Sequence, residues 1–245
     1  MGSSNPSEKG VASLSARAYL EIRNKILKGD LPVGMALSRR QLAGELKISV
    51  PPVTEALQQL ESEGLLESRP RVGTRVRVPT RQDVEDRSLV REALEVQAAR
   101  LFAERAPRAE KEELRQRGRH LDQLYATCET GTVDREYLFL VNTYHLGFHL
   151  HIAACGRCAA LRDAIEKEQV LIFYWLYDTA VQRRTLSSNY HARLADALAG
   201  GTADQAGVAM RHHIRHGLEE VLAGLDRLAE SKAAWRLKKH ERTAV

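Results

Sequence analysis

Apolar residues recur at helical spacing along most of the chain, with one short interruption. Residues 14–28 predict a helix with Leu20, Ile26 and Leu27 apolar and Arg23, Lys25 and Lys28 outward, ended by the turn residues Gly29-Asp30-Leu31-Pro32-Val33-Gly34. Leu42, Leu46 and Ile48 make one short apolar face ending in a turn. Val53, Ala56, Leu57 and Leu60 make the inner side of a second helix that starts at Ser49. Past Glu63-Gly64 the pattern changes to two short β-like runs, Leu65-Leu66-Glu67-Ser68 and Thr74-Arg75-Val76-Arg77-Val78, around the turn Arg69-Pro70-Arg71-Val72-Gly73. Two short helices and a small basic hairpin predict a winged helix-turn-helix. Its second helix would lie in a DNA major groove and its hairpin against the backbone or minor groove. A winged helix used only for protein contacts is the competing reading.

From Val84 onward the pattern is helical, with predicted helices at 84–105, 108–129, 135–154, 159–183, 187–199 and 203–230. Ala106-Pro107, Thr130-Gly131-Thr132, Cys155-Gly156-Arg157 and Gly200-Gly201-Thr202 punctuate them. The fold class is therefore mainly α, a winged helix-turn-helix followed by an all-α bundle. The organisation reads as a mobile tail at 1–13, a DNA-binding domain at 14–79, a helical effector, metal and dimerisation domain at 80–230, and a basic tail at 231–245. Thr80 to Asp83 reads as a polar linker. The last segment is a solvated end or a nucleic-acid arm, the first being favoured.

The 245 residues leave ample chain for a core, and an aromatic content of only 5% fits a helical protein. A formal charge of +5 and a pI near 9.2 suit a polyanionic partner. No apolar run is long enough for a membrane span, and no secretory leader is visible, so a cytoplasmic location is expected. Three cysteines, an odd number, agree with a reducing compartment.

The segment from about Arg17 to Val78 resembles the N-terminal domain of the GntR family of bacterial transcription regulators. The resemblance rests on Leu37-Ser38-Arg39-Arg40-Gln41-Leu42-Ala43, Ile48-Ser49-Val50-Pro51-Pro52-Val53-Thr54-Glu55-Ala56-Leu57, Leu60-Glu61-Ser62-Glu63-Gly64-Leu65-Leu66-Glu67 and the wing glycine Gly73. It implies DNA contacts by Arg39, Arg40, Ser49, Val50, Thr54, Arg69, Arg71 and Gly73, with Arg75 and Arg77 near the wing. Ser49 is expected to cap the recognition helix, with Pro51 and Pro52 in its first turn. The family typically carries Ser-Arg-Thr-Pro-Val-Arg here; Val50 and Thr54 replace its two arginines. Phosphate contacts through Arg40 and the wing are thus expected to supply most affinity, with weak, A·T-leaning reading by Thr54 and Val50.

Arg91-Glu92-Ala93-Leu94-Glu95-Val96-Gln97-Ala98-Ala99-Arg100 resembles the opening helix of the FCD domain, the helical ligand-binding domain of many such regulators. In that family an Asp and three His hold a divalent metal, completed by an effector carboxylate. His149, His191 and His213 match the three histidines, and His145 stands at the Asp position, four residues before His149 and about 40° from it around a helix. A site of four neutral imidazoles favours Zn²⁺, Ni²⁺ or Cu²⁺ over Mg²⁺ or Mn²⁺ and leaves the ion's charge to attract an anion. Core histidines bonded to their neighbours are the alternative. Arg91 matches a pocket arginine that could hold a carboxylate, against an ordinary surface arginine. His151 falls on the opposite face, and Cys155-Gly156-Arg157-Cys158 is either a redox or zinc pair or, the favoured reading, incidental. Phe173, Tyr174, Trp175 and Tyr177 are read as core or dimer packing.

The sequence therefore predicts a homodimeric, non-enzymatic regulator of double-stranded operator DNA, controlled by a small carboxylate or sugar acid at the metal and Arg91. Ligand-relieved repression is the commoner arrangement in the family. A regulator sensing the metal itself and a metal-dependent hydrolase are the alternatives. The second is disfavoured because no carboxylate stands in register beside the histidines as a general base.

Overall fold

Ala18, Ile22 and Ile26 lie four residues apart and form the buried stripe of α1 (Leu14–Leu27) in the computed structural model, which describes residues 13–69, 73–130, 133–168 and 189–243. Leu20, expected on that stripe, is 48% exposed, and Ile22 takes its place. Ser13 starts the helix by accepting from the Ala16 N–H. In α2 (Arg39–Leu46) the cap is Ser38, accepting from Gln41. Lys47 then turns into the left-handed region at φ 55° and lets α3 (Val50–Ser62) begin at once. Ser49 occupies the N-cap position of α3 but makes no side-chain cap bond, against expectation. A capping oxygen accepts from the second or third helical N–H. Those residues are Pro51 and Pro52, which have none.

The predicted hairpin is present as β2 (Leu66–Arg69) and β3 (Gly73–Val76), antiparallel, with Glu67 opposite Arg75 and Arg69 opposite Gly73. A further strand, β1 (Ala36–Leu37), pairs with β3 and makes the order β1-β3-β2. Two residues are too few to carry an alternation, so the sequence did not announce it. Ile22, Val53, Leu57, Leu60, Leu65 and Val76 close the core of this unit, which spans residues 1–78.

The second unit spans residues 79–245. Thr80, read as linker, is the N-cap of α4 (Arg81–Arg105): its hydroxyl accepts from the Asp83 N–H while Asp83 accepts from the Thr80 N–H, a capping box. Along α4 the buried seam is Val84, Ser88, Arg91, Glu95, Ala98 and Phe102, a four-three alternation with ionic residues at its centre. α5 (Arg108–Thr130) follows Pro107. α6 (Arg135–Cys155) starts on Asp134, which accepts from the Tyr137 N–H.

Residues 159–168 are helical (α7) and represent the described part of the helix predicted to reach 183. Phe173, Tyr174, Trp175 and Tyr177 lie outside the described residues. α8 (Tyr190–Gly200) begins later than predicted. α9 (Ala203–Thr243) runs past the expected end at 230, into a segment with neither Gly nor Pro to stop it. α4 packs on α6, α8 and α9, α5 on α6 and α8, and α8 on α9. Phe102, Leu114, Leu121, Phe148, Ile152 and Met210 fill the space between. Among the described residues no helix is long and apolar enough to cross a membrane.

Leu57 is 1% exposed. Leu57→Ala is expected to destabilise the winged unit by about 2–5 kcal/mol, the usual range for a buried leucine. The measurement is urea unfolding followed by far-UV circular dichroism; an unmoved midpoint would contradict this packing.

Candidate functional site

The winged surface carries fewer uncommitted cations than its arginine count suggests. Arg40 is exposed at the start of α2 and makes no hydrogen bond or ion pair with another described residue. Its neighbour Arg39 donates through Nη2 to Thr74 Oγ1 at 3.1 Å. Thr74 bonds Ser68 Oγ at 2.9 Å, and Ser68 donates from its N–H and its hydroxyl to Glu61 of α3, both at 2.9 Å. Arg39 is thus also a strut joining α2, the wing and the recognition helix. Glu67 pairs with Arg75 and stands 3.7 Å from Arg69, whose side chain is 60% exposed. Arg71, with Pro70 and Val72, lies outside the described residues. Gly73 has φ +92° and open space where a Cβ would sit, so backbone conformation is what requires glycine there.

On the recognition helix, Val50 is exposed, and Thr54 spends its hydroxyl proton on the Val50 carbonyl at 3.1 Å, keeping only an acceptor role. Ser49, exposed and not engaged in capping, keeps its hydroxyl donor.

In the helical unit the ligating nitrogens of His145, His149 and His213 all lie within 4.8 Å of one another. His149 Nε2 is 3.0 Å from His145 Nε2 and 3.2 Å from His213 Nε2. Nitrogens bound to one ion at about 2.0–2.1 Å are separated by roughly 2.9–3.4 Å between right-angle and tetrahedral geometry. The spacing therefore fits a shared cation. His191 falls outside that group of three, though its ring meets His145 and His213 at centroid distances of 4.9 and 5.5 Å.

What orients these rings is a set of partners on their outer nitrogens. His149 Nδ1 contacts Glu95 Oε2, His191 Nδ1 bonds Asp122 Oδ1 at 2.8 Å, and His145 Nδ1 bonds the Tyr125 hydroxyl at 3.0 Å. An ionised carboxylate only accepts, so Nδ1 of His149 carries the proton and its Nε2 offers a lone pair to the other two rings. Lone pairs converging at 3 Å repel unless a proton or cation lies among them, which makes the donor set suited to a metal. Tyr190 stacks on His213 at 4.8 Å and donates to its carbonyl at 3.0 Å.

Asp122 does more than orient a ring. Its oxygens also accept the His191 and Ala192 N–H groups, each at 2.9 Å. They cap α8 from α5, while Asn189 at the N-cap position makes no such bond. Gly118, one turn earlier, lets the helices approach: a Cβ there would be 2.8 Å from the His191 carbonyl oxygen.

Carboxylates do stand beside the histidines, though not as the general base a hydrolase would need. Two buried carboxylates, Glu95 and Asp122, contact the outer edges of His149 and His191. They are already engaged there as orienting acceptors and do not face the converging Nε2 atoms. Arg91 is buried rather than a surface arginine; its Nε donates to Glu95 Oε1 at 2.5 Å, while Nη1 and Nη2 bond no other described residue.

Burial raises the Glu95 carboxyl, but Arg91 and His149 outweigh it and hold it down to about 2. Burial, reinforced by neighbouring imidazoles and Arg91, pushes His145 and His213 well below the usual imidazole range, so both are neutral near pH 7. His151 faces elsewhere, with Cys155 Sγ at 3.6 Å and Glu113 at 4.0 Å. Burial and Glu110 push the Cys155 thiol up to about 12, the opposite of a reactive thiolate.

The GntR family model, "Bacterial regulatory proteins, gntR family", matches residues 14–76, and the FCD domain model matches residues 88–216. The chain belongs to the GntR family. As a GntR–FCD protein it is a DNA-binding transcriptional regulator, and GntR regulators bind operator DNA. The "Probable D-xylose utilization operon transcriptional repressor" of Paenarthrobacter nicotinovorans is 30% identical over 192 residues, 78% of this chain and 80% of that one. An HTH-type transcriptional regulator of Streptomyces ambofaciens is 27% identical over 207 residues, 83% of each chain. The crystal structure of a GntR regulator from Rhodococcus sp. RHA1 shares the fold at a TM-score of 0.71 and 21% identity, covering 86% of this chain and 99% of that one.

Sequence reasoning did not single out Glu95, Asp122, Tyr125 or Tyr190. Glu95 had a legible signal, an acid four residues after Arg91 on the seam running from Val84 to Phe102. Asp122 had none, because its partners are 69 and 70 residues away.

Gly118→Ala is expected to lower the melting temperature. The clash with His191 costs roughly 1–3 kcal/mol, against at most about 1 kcal/mol gained in helix propensity. A raised melting temperature would contradict the close approach of α5 and α8. Chelator-treated protein should also lose stability as pH falls from 7.5 to 5.5. The unfolded chain binds protons at His145 and His213 below about 6.5 and the folded chain does not, so unfolding takes up protons. A flat melting profile over that range would count against the buried neutral pair.

Proposed function

We propose that this GntR–FCD protein is a cytoplasmic, homodimeric regulator whose grip on operator DNA is set by a small anionic metabolite bound beside a histidine-held divalent cation. The observation that carries the reading is the convergence of the His145, His149 and His213 Nε2 atoms at 3.0 and 3.2 Å, with outer nitrogens held by Glu95 and Tyr125. His191, aligned by Asp122, stands ready as a fourth ligand. An all-imidazole set favours Zn²⁺ or Ni²⁺ over Mg²⁺. Such a cation would supply an anchor for a carboxylate, and the two terminal nitrogens of Arg91 would fork onto the same anion.

The effector class is a small carboxylate or sugar acid. The Paenarthrobacter relative's association with a D-xylose utilization operon supports a sugar-derived molecule. Two winged units would read half-sites of a pseudo-palindrome about one helical turn or less apart. Arg40, Arg69 and Arg71 would contact phosphates, while Ser49, Val50 and Thr54 would face the groove. An anion that binds two arrangements of the bundle unequally would shift operator affinity, in the repressing sense if the protein follows the commoner family pattern.

Chelator-treated protein should gain several degrees in melting temperature on adding Zn²⁺, and His149→Ala should abolish the gain. No gain in the wild type would remove the metal from this reading. A gain in operator affinity or its loss with Zn²⁺ alone would make the ion itself the effector. Arg40→Ala should weaken operator binding and reduce its salt dependence by about one phosphate contact; unchanged binding at moderate salt would take Arg40 out of the interface.

A further inference from the structure

One buried side chain touches both halves of the proposed site. Glu95 lies on the seam of α4, 2% exposed, between Arg91 at 7% and His149 at 2%. Its Oε1 accepts from Arg91 Nε, and its Oε2 is in ionic contact with His149 Nδ1. We propose that Glu95 is a positioning residue that couples cation binding at the histidines to anion binding at Arg91. The inference rests on the reading just given, in which Arg91 takes the effector.

The chemistry asks for a carboxylate at this point. Arg91 Nε and His149 Nδ1 must both donate if the guanidinium is to keep its terminal fork free and His149 is to present a lone pair at Nε2. Only a group with two acceptor oxygens satisfies both. Glutamine has the same shape but one acceptor, and its amide nitrogen would face one of the two donors. If it faces His149, the ring changes tautomer: Nδ1 becomes the acceptor, and the Nε2 proton then points at His145 and His213, where a cation would bind. The other orientation is disfavoured, because an amide nitrogen facing Arg91 would leave a buried guanidinium without an acceptor.

The coupling works in both directions. A cation on Nε2 makes the His149 Nδ1–H a stronger donor and fixes the Glu95 rotamer, which aligns Arg91. An anion drawn onto Arg91 fixes the same carboxylate from the other end. By linkage, each ligand raises the affinity of the other by the same factor.

The test compares wild type, Glu95→Gln, Arg91→Met and the Arg91→Met, Glu95→Gln double variant, which carries no unpaired buried charge should Glu95→Gln alone fail to fold. Zn²⁺ affinity is measured by competition with a chromophoric chelator. Acetate, as the carboxylate probe, is followed by thermal shift with and without Zn²⁺. Ring ¹⁵N shifts of His149 report its tautomer in cation-free protein.

The expected result is a Zn²⁺ affinity about 10–100-fold lower in both variants that lack Glu95. His149 should move to the Nε2–H tautomer in Glu95→Gln, and Arg91→Met should retain both Zn²⁺ affinity and tautomer. In the wild type, acetate and Zn²⁺ together should raise the melting temperature by more than the sum of their separate effects, and Glu95→Gln should lose the excess.

Restored Zn²⁺ affinity in the double variant would overturn the proposal, because Glu95 would then only neutralise Arg91. An unchanged His149 tautomer, or an acetate–Zn²⁺ excess that survives Glu95→Gln, would overturn it as well. Failure of the underlying reading looks different. Zn²⁺ would not bind the wild type at all, or the acetate shift would be the same in Arg91→Met, and either result removes the coupling along with its premise.

Discussion

A bundle core that contains charge must offset it with opposite charge, and the helical unit is arranged around that requirement. Arg91, Glu95, His149, His191 and His213 are all buried, in a medium where an isolated ion is costly by several kcal/mol. Their partners come from five helices: α4 supplies Arg91 and Glu95, α5 supplies Asp122 and Tyr125, α6 supplies His145 and His149, and α8 and α9 add one histidine each. A carboxylate at an outer nitrogen, as at His149 and His191, fixes the tautomer and leaves the inner nitrogen as the acceptor. Removing one partner would leave a buried charge or force a ring to turn, so the outer shell is as much a part of the site as the histidines.

The same economy of pairing shapes the winged unit, with the opposite result. Surface ion pairs contribute little stability, but they decide which cations remain available to phosphate. Glu67 engages Arg75 and stands near Arg69, and Thr74 engages Arg39, whereas Arg40 bonds no other described residue. The network from Glu61 through Ser68 and Thr74 to Arg39 ties the recognition helix to the wing. Pro51 and Pro52 remove two N–H groups from the start of α3, which frees the Ser49 hydroxyl from capping and weakens the helix end as an anion site. Anion binding at this helix end would therefore depend on side chains more than on a helix dipole.

Periodicity located nearly every element because each reports a local requirement. The hairpin turn needs Gly73 for its positive φ, and α2 and α3 show their buried faces at Leu42 and at Val53, Leu57 and Leu60. The misses were equally physical. Two-residue β1 is too short to carry a period. Thr80 and Asp83 formed a capping box that composition alone made look like a linker. Leu20 is an apolar residue on the wrong side of α1, where only packing could say that Ile22 faces inward.

For the site the division is sharper. Spacing alone put His145 and His149 on one face, and the resemblance supplied His191, His213 and Arg91. No local pattern contained Asp122, which both starts α8 and holds His191 from a different helix, or the sharing of Glu95 between Arg91 and His149. The sequence by itself determined a winged helix-turn-helix, a helical bundle and a set of histidines in one register. Only the tertiary structure decided which nitrogen of each ring faces inward and which of the described arginines are already engaged. Those choices depend on partners tens of residues away, which meet only when the helices pack.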